Sequence, residues 1–119
     1  MIAVVDDEEP VRNAIVRLIQ AAGHPARCFA SGGDFLRGWV ADRPECLLLD
    51  LQMPGLSGTD VQRALLRAGA RIPTIIITAQ DSPLARAESM RLGAVAYLCK
   101  PVDQGTLLAA VKAALNLSP

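Results

Sequence analysis

The 119-residue chain predicts a single α/β domain. The expected fold is a doubly wound, flavodoxin-like (βα)5 unit with a five-stranded parallel sheet of order 2-1-3-4-5. Three observations carry this. Five short runs of apolar or β-branched residues alternate with five stretches of helical periodicity, which implies a parallel sheet with right-handed crossovers and helices on both faces. Residues 1–5, 46–50 and 73–78 have the character of strands buried on both sides. Residues 26–30 are a weaker run interrupted by Arg27, which suits an edge position beside strand 1.

The elements follow in order. Met1-Ile2-Ala3-Val4-Val5 stops abruptly at Asp6-Asp7-Glu8-Glu9. Acids are favourable at a helix N-terminus, and Pro10 fits a first turn. This accounts for Glu8 and Glu9 better than for Asp6 and Asp7, which touch the strand end. Val11, Ile15, Leu18, Ile19 and Ala22 then recur near 3.6 residues, with Arg12 and Arg17 on other faces, until Gly23 ends the helix. After strand 2, Ser31 is an N-cap for a second helix through Asp34, Phe35, Leu36 and Trp39, stopped by Arg43-Pro44. The run Cys46-Leu47-Leu48-Leu49-Asp50 ends on a carboxylate, and Pro54, Gly55 and Gly58 turn the chain at once. Val61, Leu65 and Leu66 mark a third helix ending near Gly69. Pro73-Thr74-Ile75-Ile76-Ile77-Thr78 is the most β-prone run of the chain. Asp81 or Ser82 caps a fourth helix with Pro83 in its first turn, carrying Leu84, Ala87 and Met90 towards Leu92. Residues 94–99 form strand 5. The last helix starts near Asp103 and turns Leu107, Leu108, Val111 and Leu115 inward.

Composition narrows the function. Twelve basic and twelve acidic residues balance, so the domain lacks the electrostatic footprint of a nucleic-acid binder. No apolar run approaches a membrane span, and residues 1–5 are too short for a signal segment. Phe29, Phe35, Trp39 and Tyr97 are the four aromatics, so the core is aliphatic. Cys28, Cys46 and Cys99 are widely spaced without a metal-binding pattern. They read as buried thiols of a reducing, cytoplasmic compartment.

The strand ends carry the chemistry. Strand 1 offers Asp6 and Asp7, strand 3 Asp50, strand 4 Thr78 and strand 5 Lys100. The order 2-1-3-4-5 converges all of them on one rim. Carboxylates held together repel, and a cation relieves them. Oxygen-only ligation suits Mg²⁺. A carboxylate can be the nucleophile towards phosphorus, and phosphoryl transfer needs positioning and charge neutralisation above all.

The residues Val4-Val5-Asp6-Asp7-Glu8, Leu48-Leu49-Asp50-Leu51-Gln52-Met53-Pro54-Gly55 with Ser57-Gly58, Ile77-Thr78-Ala79 and Gly93-Ala94-Val95-Ala96-Tyr97-Leu98-Cys99-Lys100-Pro101 resemble a bacterial two-component response-regulator receiver domain. The likeness spans residues 1–119. It implies that Asp50 is the phospho-acceptor. It implies a Mg²⁺ (or Mn²⁺) site made by Asp6, Asp7, Asp50 and the Gln52 main-chain carbonyl. Thr78 and Lys100 would meet the phosphoryl oxygens, and Tyr97 would turn inward as Thr78 moves. The Lys100–Pro101 bond is commonly cis in the family. Gln52 and Gln80 would flank the path of attacking water. The implied partner is a sensor histidine kinase, and the output surface is helix 4, strand 5 and helix 5, around Arg86, Met90, Arg91, Tyr97 and Val102. That surface would also pair two copies on phosphorylation.

Residues 54–62 resemble receivers of the FixJ-like group, which usually continue into a helix-turn-helix DNA-binding domain and control transcription. No such domain lies within these residues, and a longer parent protein is the favoured reading over a stand-alone receiver. Two rivals stand beside this one. A Mg²⁺-dependent aspartyl-phosphate phosphatase would place its nucleophile on strand 1 with a second acid two residues on, whereas Asp6 and Asp7 are adjacent. A phosphorylation-independent interaction module of the same fold is the alternative function.

Overall fold

A computed structural model describes residues 1–117. Five strands, β1 (Ile2–Val5), β2 (Ala26–Phe29), β3 (Cys46–Leu49), β4 (Thr74–Thr78) and β5 (Ala94–Cys99), alternate with five helices, α1 (Glu9–Ala21), α2 (Gly32–Gly38), α3 (Gly58–Arg67), α4 (Pro83–Arg91) and α5 (Gln104–Leu115). The sheet order is β2-β1-β3-β4-β5 and every pairing is parallel. Both match the expectation from sequence. The register aligns Val5 with Leu49 and Leu49 with Ile76, so the strands end nearly level. That alignment puts the residues after β1 and β3 side by side.

Alternation along each strand splits the core in two. Ala3, Val5, Leu47, Leu49 and Ile76 pack with Phe35, Val61 and Leu65 of α2 and α3. Ile2, Val4, Leu48, Ile75 and Ile77 pack with Ile19 of α1 and Leu107, Val111 and Ala114 of α5. β1 and β3 are buried at every position, whereas β2 is half exposed, as an edge strand must be.

Local signals set the helix ends. Ser31, Ser57, Ser82 and Asp103 each accept a backbone N–H three residues on. Ser57 and Asp60 complete a capping box, and this satisfies donors that a helix start leaves free. Gly58 allows α3 to begin against the end of β3. A Cβ there would strike the Asp50 carbonyl oxygen and lie 2.8 Å from Leu51 Cα. The turn before it needs Gly55, whose φ is +75°.

Several sequence readings need correction. Leu66 is exposed, and Gln62 takes the inward place beside Val61 and Leu65. Gln62 Nε2 donates to the Ser89 carbonyl at 3.0 Å, while Gln62 Oε1 and Ser89 Oγ are buried without partners among the described residues. In α4, Leu84, Ala87 and Met90 all face solvent, Leu84 at 84% exposure. Ser89 is the one fully buried residue of that helix. The reason is spacing: these three positions share a face with Arg86 and Arg91 rather than with Ala85, which meets the core. Cys28 and Cys99 are exposed and only Cys46 is buried. The two exposed thiols lie on the outer strands β2 and β5, and Cys46 on an inner one.

Candidate functional site

The acidic run after β1 meets the end of β3 at the C-terminal rim of the sheet. Asp6 and Asp50 are almost completely buried, and Asp7 is exposed. One carboxylate oxygen from each of the three lies within 4.8 Å of the others. Backbone donors fix the two buried acids. The Glu8 N–H donates to Asp6 Oδ1 at 2.8 Å, and the Gln52 N–H donates to Asp50 Oδ1 at 3.2 Å. Arg12 holds the loop from the other side, donating to the Asp6 carbonyl at 2.8 Å.

Lys100 enters from the end of β5. Its ammonium lies 2.9 Å from Asp6 Oδ2 and 3.4 Å from both Asp50 Oδ2 and Glu8 Oε1. The Lys100 N–H donates to the Thr78 carbonyl at 2.7 Å, which aligns β5 with β4 at this point. The Lys100–Pro101 bond is cis.

The electrostatics follow from crowding. Burial pushes the Asp50 carboxyl above its ordinary value, and neighbouring Asp6 adds to this. The Gln52 N–H and Lys100 pull it back in part. Burial alone would lower the Lys100 ammonium, but its hydrogen bond to Asp6 and the attraction of Asp50 raise it overall. Lys100 therefore stays charged. One ammonium among Asp6, Asp7 and Asp50 leaves the cluster net negative. An oxygen-only donor set with that surplus fits a hard divalent cation.

Thr78 and Tyr97 form a second layer. Thr78 is buried, and its Oγ1 accepts the Gln80 N–H at 3.1 Å. Tyr97 is also buried, and its hydroxyl donates to the Gln80 carbonyl at 2.6 Å. Burial raises the phenol above its ordinary value, so the hydroxyl stays protonated and can donate. The Arg86 guanidinium sits 5.8 Å from the centre of the ring.

The structure thus gathers Asp6, Asp7, Asp50 and Lys100 directly. It sets Thr78 and Tyr97 on the backbone of Gln80, and Gln52 meets Asp50 through its N–H. Two participants were not read from sequence. Glu8 passes for a helix-start acid, and Arg12 for a solvated residue on another helical face. Both contacts depend on how the loop after β1 folds, which no local pattern reports.

Comparison with known proteins sets this geometry in context. The family model described as the response regulator receiver domain matches residues 2–112. The chain is 38% identical over 120 residues to the response regulator protein TodT of Pseudomonas putida, covering 100% of this chain and 52% of that protein. It is 36% identical over 116 residues to the transcriptional regulatory protein FixJ of Azorhizobium caulinodans, covering 97% of this chain and 54% of that one. The crystal structure of a response regulator receiver protein from Burkholderia phymatum is similar at 42% identity and a TM-score of 0.85, covering 97% of this chain and 94% of that one. The chain spans about half the length of the two full regulators it matches. Among the described residues no helix is long and apolar enough to cross a membrane.

Proposed function

Because the chain belongs to the response-regulator receiver family, we propose that it is a cytoplasmic phospho-accepting switch with Asp50 as the acceptor. The observation that carries this is a buried carboxylate at the end of an inner strand, 3.4 Å from a charged Lys100 and joined by the oxygens of Asp6 and Asp7. As a receiver it acts in signalling rather than as an enzyme with its own turnover substrate. Its donor is the phosphohistidine of a sensor histidine kinase.

An Asp50 carboxylate oxygen bonds to phosphorus while the bond from phosphorus to the donor atom breaks. The leaving group keeps the electron pair. Asp6, Asp7, Asp50 and the Gln52 carbonyl would hold Mg²⁺ or Mn²⁺, which supplies charge neutralisation for the phosphoryl oxygens. Lys100 supplies a second positive charge, 3.4 Å from Asp50. Thr78 turns its hydroxyl from the Gln80 N–H to a phosphoryl oxygen, which supplies a donor where charge develops. Gln80 then shifts, and with it the carbonyl that Tyr97 holds. The change reaches α4, β5 and α5, where Arg86, Met90 and Arg91 present a surface for an output or a second copy. The output is transcriptional control, carried by a DNA-binding domain elsewhere in a longer protein. The domain comprises residues 1–119, with Ser118 and Pro119 outside the described residues.

Intact mass after incubation with Mg²⁺ and acetyl phosphate tests the reading. One phosphoryl group is expected on the wild type and none on Asp50→Ala or after chelation. A phosphoryl group on Asp50→Ala would move the acceptor elsewhere. No adduct on the wild type would favour a phosphorylation-independent interaction module.

A further inference from the structure

Glu8 has no part in the chemistry above, yet its carboxylate lies 3.4 Å from Lys100 Nζ. Glu8 is the N-cap residue of α1, with an extended backbone and no capping bond from its side chain. An acid at this point ordinarily turns to the free N–H groups or the positive end of the helix. A glutamate followed by an arginine four residues on ordinarily pairs with it along the helix. Arg12 donates to the Asp6 carbonyl instead. Glu8 passes over both local options and reaches Lys100, 92 positions away in sequence.

Lys100 is the one ammonium in contact with three carboxylates among the described residues: Asp6, Asp50 and Glu8. Its side chain is 15% exposed, that of Asp50 4% and that of Glu8 60%. Glu8 is therefore the most solvent-exposed of the three carboxylates that touch Lys100. Its distance to Lys100 equals that of Asp50.

We propose that Glu8 is a positioning residue that competes with the phosphoryl group for Lys100 and so restrains the phosphorylation of Asp50. The inference rests on Asp50 being the acceptor. The ammonium touches Glu8 and Asp50 at the same 3.4 Å, so Glu8 and an incoming phosphoryl group draw on one positive charge. Removing the competitor leaves Lys100 directed at the two buried acids.

The test is the rate of adduct formation with acetyl phosphate and Mg²⁺, read by intact mass, for wild type, Glu8→Gln, Glu8→Asp and Glu9→Gln. A half-exposed ion pair is worth a modest factor, so Glu8→Gln should react about two- to fivefold faster. Glu8→Asp keeps the charge, but the shorter side chain takes the N-cap bond and no longer spans to Lys100. It should match Glu8→Gln. Glu9→Gln makes the same change in net charge on an exposed neighbour and should differ from wild type by under about 1.5-fold. An unchanged rate in Glu8→Gln overturns the inference. So does a Glu8→Asp that behaves as wild type, or a Glu9→Gln as fast as Glu8→Gln, since either would reduce the effect to charge at a distance. A wild type that takes up no phosphoryl group would instead overturn the assignment of Asp50 itself.

Discussion

Thr78 and Tyr97 meet on the backbone of a single residue: Gln80 gives its N–H to Thr78 Oγ1 at 3.1 Å and takes the Tyr97 hydroxyl on its carbonyl at 2.6 Å. One peptide segment thus joins the buried end of β4 to the ring on β5. Tyr97→Phe keeps the buried ring and removes the bond. It should cost about 1 kcal/mol in urea denaturation, and it should loosen the loop after β4 in hydrogen exchange. An unchanged stability would show that the Gln80 carbonyl finds water as readily as it finds Tyr97.

Asp50→Asn should melt at a higher temperature than wild type in metal-free buffer. Burial raises the Asp50 carboxyl, so the folded state binds its proton more tightly than the unfolded chain. Ionised Asp50 therefore costs stability once pH rises above the ordinary carboxylate value. A neutral amide removes that cost. Calorimetry of both proteins near pH 7 and near pH 4 checks it, and the gap should narrow at the lower pH.

Mg²⁺ should raise the wild-type melting temperature, and chelator should reverse the gain. At ten times its dissociation constant a ligand of the folded state adds about 1.4 kcal/mol. The gain should vanish in Asp7→Asn, which removes the exposed carboxylate of the cluster. An equal gain in that variant would place the ion elsewhere.

Gly58→Ala should destabilise the domain by about 2 kcal/mol or more, as overpacking against fixed backbone does. The added methyl would meet the Asp50 carbonyl and Leu51 Cα. The same change at Gly38, where a Cβ meets nothing within 4 Å, should be tolerated. Paired urea curves of the two variants make the comparison.

Thiol and proton titrations report on the fold at both ends of the pH scale. Cys28 and Cys99 should react with a thiol reagent in the native protein, and Cys46 only on unfolding. Burial pushes the Cys46 thiol up to about 12, so stability falls as pH rises past the ordinary thiol value and the unfolded chain ionises first. At the acid end, Asp60 and Asp103 are held below the ordinary carboxylate value by the N–H groups they cap. Their contribution is complete above that value and is lost as pH falls through their lowered folded values.

Much of the fold was legible because its signals are local. The apolar runs of β1, β3 and β4, the Pro and Gly turns and the capping serines each act within a few residues. The rim was legible too, since parallel strands bring their ends together whatever the side chains are. What escaped depends on contacts distant in sequence. Gln62 is buried because the Ser89 carbonyl of α4 needs a donor, and no periodicity shows that. Glu8 reaches Lys100 through the loop after β1, and a string of acids does not say which one will. Cys28 and Cys99 are exposed because of where β2 and β5 stand in the sheet, not because of their neighbours in the chain.

The outward stripe of α4 has a mechanical meaning. With Leu84, Ala87 and Met90 in solvent, that helix has few apolar anchors. It is held by Ala85, by the Gln62 bond to Ser89 and by the ion pair of Glu88 with Arg63 of α3. On the other face of the sheet, α5 sinks Leu107, Val111 and Ala114 into the core. α4 is therefore the more loosely seated helix and α5 the more deeply seated one. On the proposed phosphorylation of Asp50, two or three new charge-assisted hydrogen bonds at the rim, at roughly 1.5–3 kcal/mol each, would act first on the helix with the fewest apolar anchors.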